Sequence, residues 1–159
     1  MAIKSITPFL WFDTQAEEAA SFYVSLFKNS RIGRIARYGE AGPGPKGRAM
    51  TLEFELDGLP FTALNGGPMY RFTEAFSLSV ACADQAEIDR LWDGLTADGG
   101  QPGRCGWLKD RFGLSWQIVP ANMGALLGGD QPPKSQRAMA AMMQMGKLDI
   151  AALEQAREG

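Results

Sequence analysis

The chain has 159 residues, 16 Lys and Arg against 18 Asp and Glu, a formal charge of −2, two cysteines and no histidine. The length suits one domain or two small modules sharing a core, and the scattered charges, with no basic block, exclude a surface that tracks nucleic-acid phosphates. Missing histidine removes His-based triads, the H-E-x-x-H zinc site and the commonest general base near pH 7, and no apolar run reaches the roughly 18 to 20 residues of a membrane span.

Cys82 and Cys105, in a chain that opens Met1-Ala2-Ile3-Lys4-Ser5 without an apolar leader, give the expectation of a cytoplasmic protein with reduced thiols. From Ile6 to Phe12 a short apolar run reads as a strand, and Pro8 places it at an edge. Thr14 and Glu17 form a capping box for a helix carrying Ala16, Ala19, Ala20, Tyr23 and Leu26 at helical spacing, ended by Asn29-Ser30. Arg31 to Tyr38 is a weaker strand, and the Gly- and Pro-rich segment from Gly39 to Gly47 is a loop, expected to be the most mobile part of the chain. Met50, Leu52, Phe54 and Leu56 alternate with Thr51, Glu53, Glu55 and Asp57, giving a strand with one buried and one solvated face. Asp57-Gly58 then turns the chain into a strand from Leu59 to Asn65.

The grammar repeats after Gly66-Gly67-Pro68. Phe76, Leu78, Val80 and Cys82 alternate with Ser77, Ser79 and Ala81. Asp84 and Glu87 repeat the capping box, Ile88, Leu91, Trp92 and Leu95 form the apolar stripe, and Gly99-Gly100 stops the helix. Trp107-Leu108 and Leu114 to Val119 are the remaining strands, joined through Phe112-Gly113, and the second copy is shorter by a strand or by the long loop. Beyond Asn122 the composition shifts to Ala, Met, Gln and Leu. Pro132-Pro133 starts a helix with the stripe Ala138, Met139, Met142 and Met143, and a last helix runs from Asp149 through Leu153. This tail is read as a cover for a sheet edge or a subunit seam. The organisation is a single domain over 1–159, with module one at about 1–68, module two at about 69–121 and a helical tail at 122–159.

Within this duplicated βαβ framework, specific strings carry a resemblance. Ile6-Thr7-Pro8-Phe9-Leu10-Trp11-Phe12, Phe22-Tyr23, Phe54-Glu55-Leu56-Asp57-Gly58, the run from Pro60 to Pro68, and the run from Cys105 to Pro120 resemble the PhnB-like branch of the vicinal oxygen chelate superfamily, which includes glyoxalases, bleomycin-resistance proteins and dioxygenases. The resemblance implies an α+β fold of paired βαβββ modules, each sheet curled into a cup, completed in a homodimer. Its members often carry a demethylubiquinone methyltransferase-like label. In the superfamily's metal enzymes, His and Glu ligands sit on the cup strands. The nearest positions here are Ile6 or Pro8, Ala63 or Asn65, Ser77 and Gln117, none of them imidazole or carboxylate, so neither metal nor cofactor is expected.

The expected ligand-binding residues are therefore Asn65, Ser77 and Gln117 at the matching strand positions, with Trp107 as an aromatic wall. Leu78, Trp116 and Ile118 fall on the opposite, buried side. Trp11, Tyr38 and Tyr70 are further aromatic candidates near a cleft, and Cys105 is read as an unreactive half-buried thiol. The Gly39 to Gly47 loop lacks the Gly-Lys-Ser/Thr ending of a phosphate loop, and no G-x-G-x-x-G opens a helix, so no methyl-donor site of the Rossmann kind is written here. A metal-free protein that binds a small organic molecule is the leading expectation, with no nucleic acid or membrane as partner. The rivals are an enzyme, either methyltransferase-like by label or a lyase with Glu53 or Glu55 as base, and a protein-interaction module using the Met-rich tail. No catalytic residue is assigned.

Overall fold

The structure, a computed structural model, describes residues 2–159. The chain divides into two compact units, one ending at Arg71 and the other spanning Phe72–Gly159. In the first, β1 (Phe9–Phe12), α1 (Ala16–Leu26), β2 (Arg31–Arg37), β3 (Ala49–Leu56) and β4 (Leu59–Asn65) form a sheet of order β1-β4-β3-β2, with β1 parallel to β4 and the other pairs antiparallel. The second repeats this with β5 (Ser77–Cys82), α2 (Gln85–Thr96), β6 (Gln101–Pro102), β7 (Trp107–Lys109) and β8 (Ser115–Pro120), in the order β5-β8-β7-β6 and with the same parallel closing pair. Both are βαβββ modules, so the fold is α+β as expected. The second copy is shortened at β6, which keeps two residues.

Alternation decides which face of each sheet is buried. Leu10, Phe12, Leu52, Phe54, Leu56, Phe61 and Ala63 join Ala16, Ala19, Ala20 and Tyr23 of α1 in the first core. Trp116 and Ile118 of β8 join Ile88, Leu91, Trp92 and Leu95 of α2 in the second. Pro8 sits just before an edge strand, where its missing N–H costs no ladder bond, and its carbonyl accepts from the Thr62 amide. The register around Asp57-Gly58 pairs Leu56 with Leu59, and both turn residues have positive φ (47° and 78°), the two-residue hairpin anticipated from the Asp-Gly pair.

Three local expectations are corrected. The Thr14–Glu17 capping box does not form: α1 starts after Gln15, which makes no side-chain cap bond, and the Ala16 amide instead donates to Asn65 Oδ1 from the end of β4 at 2.8 Å. The Gly39–Gly47 segment is a loop but an anchored one. Tyr38 is buried, its hydroxyl donates to the Asn65 carbonyl at 2.7 Å, and Gly42 and Gly44 pack so closely on its ring that a Cβ at either would fall within 2.8 Å of ring carbons. In the tail, the methionine stripe splits. Ala138 is buried and Met142 packs on the Leu126, Leu148 and Leu153 cluster, whereas Met139 and Met143 face outward.

The tail comprises α3 (Met123–Leu127), α4 (Pro132–Met142) and α5 (Ile150–Glu158). It is attached through backbone bonds: Cys105 and Gly106 amides donate to the Met145 and Gly146 carbonyls at 2.8 and 2.9 Å. Gln85, the first residue of α2, donates to the Leu148 carbonyl and accepts from the Ile150 amide. At the β6–β7 turn Cys105 and Gly106 both have positive φ, and a Cβ on Gly106 would meet the Ile118 carbonyl at 2.8 Å, so glycine is required there. Among the described residues, no helix is long and apolar enough to cross a membrane.

One buried carboxylate organises the β7–β8 turn. Asp110 Oδ1 accepts from the Phe112 and Leu114 amides, at 2.8 and 3.1 Å, and its Oδ2 accepts from Trp116 Nε1 at 2.9 Å. It fixes the turn and the largest core side chain together. Asp110→Ala is expected to lower unfolding stability by about 3 to 5 kcal/mol in a urea titration, because three donors lose a charged acceptor.

Candidate functional site

On β8 the residues alternating with Trp116 and Ile118 are Ser115, Gln117 and Val119, which share the sheet face away from α2. Cross-strand pairing extends that face: Ser115 stands between Ser77 on β5 and Lys109 on β7, and Gln117 between Ser79 and Trp107. Gln117 Nε2 donates to Ser77 Oγ at 3.0 Å. The structure thus gathers three of the four expected residues, Ser77, Gln117 and Trp107, on one face of the second unit, with Trp116 buried behind them.

Asn65 lies elsewhere. It belongs to the first unit and shares the helix-facing side of β4 with Phe61 and Ala63, where it is buried. Its Oδ1 takes the Ala16 amide, its Nδ2 donates to the Ala49 carbonyl at 3.0 Å and its own carbonyl takes the Tyr38 hydroxyl, so each of these three polar atoms is engaged by backbone or by the side chain that anchors the loop. An acceptor 49 residues away takes the place of the local cap that the Thr14–Glu17 spacing suggests, so no local sequence signal marks this role.

A cavity of about 240 Å³ opens on the second unit's face, lined by Trp107, Lys109, Ser115, Glu74 and Gln101 among others. Lys109 Nζ is paired with the Glu74 carboxylate, whose proton affinity that contact lowers. Ser115 is 1 % exposed, and its hydroxyl is the one buried side-chain polar atom without a hydrogen-bond partner among the described residues. Trp107 and Ser115 therefore bring an apolar plane and an unsatisfied donor to one small space. Of the expected residues Trp107 alone is part of its lining, Ser77 and Gln117 are not, and Ser115, Lys109 and Glu74 carried no expectation from the sequence.

The first unit has its own cavity of about 390 Å³, lined by Thr7, Arg31, Gly33, Glu53, Glu55 and Thr62 among others. Arg31 grips Glu55 in a two-bond fork, both at 3.1 Å, and holds its carboxyl below the ordinary carboxylate range. Glu53 faces the same cavity without an ion-pair partner among the described residues, opposite the irregular stretch of β2 around Gly33. Trp11 donates from Nε1 to the Gly67 carbonyl and meets Tyr70 edge to face, so both aromatics are engaged within this unit. Of the thiols, Cys82 is buried and desolvation pushes it up to about 11, leaving it protonated and unreactive at neutral pH. Cys105 is half-buried, with its sulfur 3.8 Å from that of Met143.

A family profile described as 3-demethylubiquinone-9 3-methyltransferase matches residues 4–119, stopping before the helical tail. No curated protein matches the chain. Among solved structures, a Bacillus cereus PhnB protein, named as a candidate 3-demethylubiquinone-9 3-methyltransferase, is 38% identical, with 74% of this chain and 100% of that one covered and a TM-score of 0.68. A Pseudomonas aeruginosa protein is 22% identical over 74% of this chain and 98% of its own, with a TM-score of 0.61. The fosfomycin-resistance protein FosX of Listeria monocytogenes, solved with Mn(II) and sulfate, shares the fold at 10% identity, 77% and 94% coverage and a TM-score of 0.51.

A divalent transition metal of the kind solved with FosX does not fit the donors present here. On β1, β4, β5 and β8 the strand residues of the two open faces offer hydroxyls, an amide, one indole, a phenyl and aliphatic groups; the first unit's face adds the carboxylates of Glu53 and the Arg31-bonded Glu55 on β3, and among the described residues no three His, Cys, Asp or Glu side chains cluster. Neutral oxygens without anionic or imidazole partners bind such ions poorly. Elemental analysis of the purified protein is expected to find no stoichiometric zinc, manganese, nickel or iron; about one tightly held ion per chain would contradict the donor argument.

Proposed function

We propose a binding function for this chain, which belongs to the family described as 3-demethylubiquinone-9 3-methyltransferase and, with it, to the vicinal oxygen chelate superfamily. It holds a small organic molecule against the open sheet face of its second unit, with Trp107 as the flat apolar wall and Ser77 and Gln117 as the polar edge. The observation that carries this reading is the cavity beside Trp107 on the face that alternation leaves free of α2; Ser77 and Gln117 do not line it but stand next to it on the same face, paired across the strands with Ser115 and Trp107. Asn65 stands outside this site, in the first unit, where its side-chain oxygen holds the start of α1 and its carbonyl holds Tyr38.

The enzyme reading has less support. Nothing in the sequence supplies the Gly-rich helix start of a Rossmann methyl-donor site. For a lyase, Glu55 is engaged by Arg31, which leaves Glu53 as the one carboxylate of that pair free to act as base. The same proposal includes a second copy of the chain as partner and a reducing, cytoplasmic setting. Exposed Phe9 and Leu59 in the first unit and Met139 and Met143 in the second support the former, and two free thiols support the latter.

Fragment titrations followed by side-chain NMR test the reading. Bound fragments are expected to shift the Trp107 indole N–H and the Gln117 amide. Trp107→Ala should weaken binding about tenfold or more and Gln117→Leu about fivefold, as befits an aromatic contact against one neutral hydrogen bond. Shifts confined to the first unit, or unchanged affinity in Trp107→Ala, would refute it. Light scattering at micromolar concentration is expected to report a dimer, and a monomer would remove the second copy from the proposal.

A further inference from the structure

The second unit's cavity holds an unusual combination of groups. Ser115 sits in the ladder directly beside Lys109, is almost wholly enclosed, and has no hydrogen-bond partner for its hydroxyl. A buried hydroxyl left unpaired destabilises the fold by its desolvation, so a group that enters the cavity and accepts from it gains what the chain itself does not supply. Lys109 brings a cation to the same space, and Trp107 brings an apolar plane. Cation, hydroxyl donor and indole together are complementary to an anionic oxygen pair attached to a flat apolar group.

The chain already presents a carboxylate there. Glu74, on the segment leading into β5, is ion-paired with Lys109 and lines the cavity. Its side chain is 64% exposed, and exposed ion pairs contribute little, so an incoming carboxylate displaces it at small cost. The volume, about 240 Å³, lies below the roughly 300 Å³ at which pockets for drug-sized molecules begin, which limits the occupant to about one ring.

We propose that this cavity binds a small aromatic monocarboxylate, its carboxylate replacing Glu74 on Lys109 and accepting from Ser115, its ring lying on Trp107. The inference rests on the Trp107 face being the binding face and names the ligand class for it. Glu74 acts as an internal competitor for that ligand.

Calorimetric titration of the full chain with benzoate, and with benzyl alcohol as the neutral control, tests this. Glu74→Gln is expected to tighten benzoate about two- to fivefold and to leave benzyl alcohol unchanged, while Lys109→Gln weakens benzoate about three- to fivefold. Ser115→Ala should weaken benzoate yet raise the melting temperature of the free protein, because it removes an unsatisfied buried hydroxyl. Benzoate affinity indifferent to Glu74→Gln or to Lys109→Gln, or no benzoate binding by any variant at about 10 mM, overturns the proposal. Benzyl alcohol bound through Trp107, with benzoate indifferent to Lys109, overturns the carboxylate assignment alone. If Trp107→Ala changes neither probe, the binding reading beneath it falls as well.

Discussion

Everything in this fold depends on the parallel pairing of the first and last strand of each module, β1 with β4 and β5 with β8. A parallel pair cannot be closed by a hairpin, so the chain between them must cross over one face of the sheet, and the helix that does so buries that face. The pleat then commits alternate residues to the helix and leaves the others on the far side. Trp116 and Gln117 are neighbours in sequence, yet one is core and the other stands on the open face for this reason alone. A slip of one residue would exchange them, and Asp110 opposes the slip by bonding the turn and the Trp116 indole at once.

The two copies have diverged in how their helices begin, and the difference reaches far along the chain. In the second unit Asp84 caps α2 from the adjoining position, accepting from the Glu87 amide at 2.9 Å. Gln85 is then free to hold the tail at Leu148 and Ile150. In the first unit no adjoining side chain caps α1, and Asn65 supplies the acceptor from the last strand. That same residue bonds Ala49 and anchors Tyr38, on whose ring the long loop packs. A substitution at Asn65 would therefore disturb helix, strand and loop together.

The alternation of β3, the Asp-Gly turn, the stripe of α2 and the strand at Leu59–Asn65 were legible in the sequence because each depends on neighbours within a few residues. Strings shared with known proteins added the module order. What stayed hidden depends on residues far apart. Thr14 and Glu17 have the spacing of a capping box, but a competing acceptor 49 residues from Ala16 takes the amide. Glycines in a proline-rich segment read as freedom, whereas Gly42 and Gly44 are small so that Tyr38 can lie between them. Ser115 carried no signal at all, since an unpaired hydroxyl exists only once its surroundings are folded.

The central claim is that each sheet has one face committed to its helix and that the second unit's other face, which the tail covers at Val119, is open beside Trp107 for a ligand. Solvent relaxation of the tryptophan indole N–H signals by a soluble paramagnetic probe tests it most directly. The account predicts strong broadening of Trp107 and none of Trp116, which is 1 % exposed. Broadening of Trp116, or a Trp107 signal as protected as that of Trp116, would contradict it.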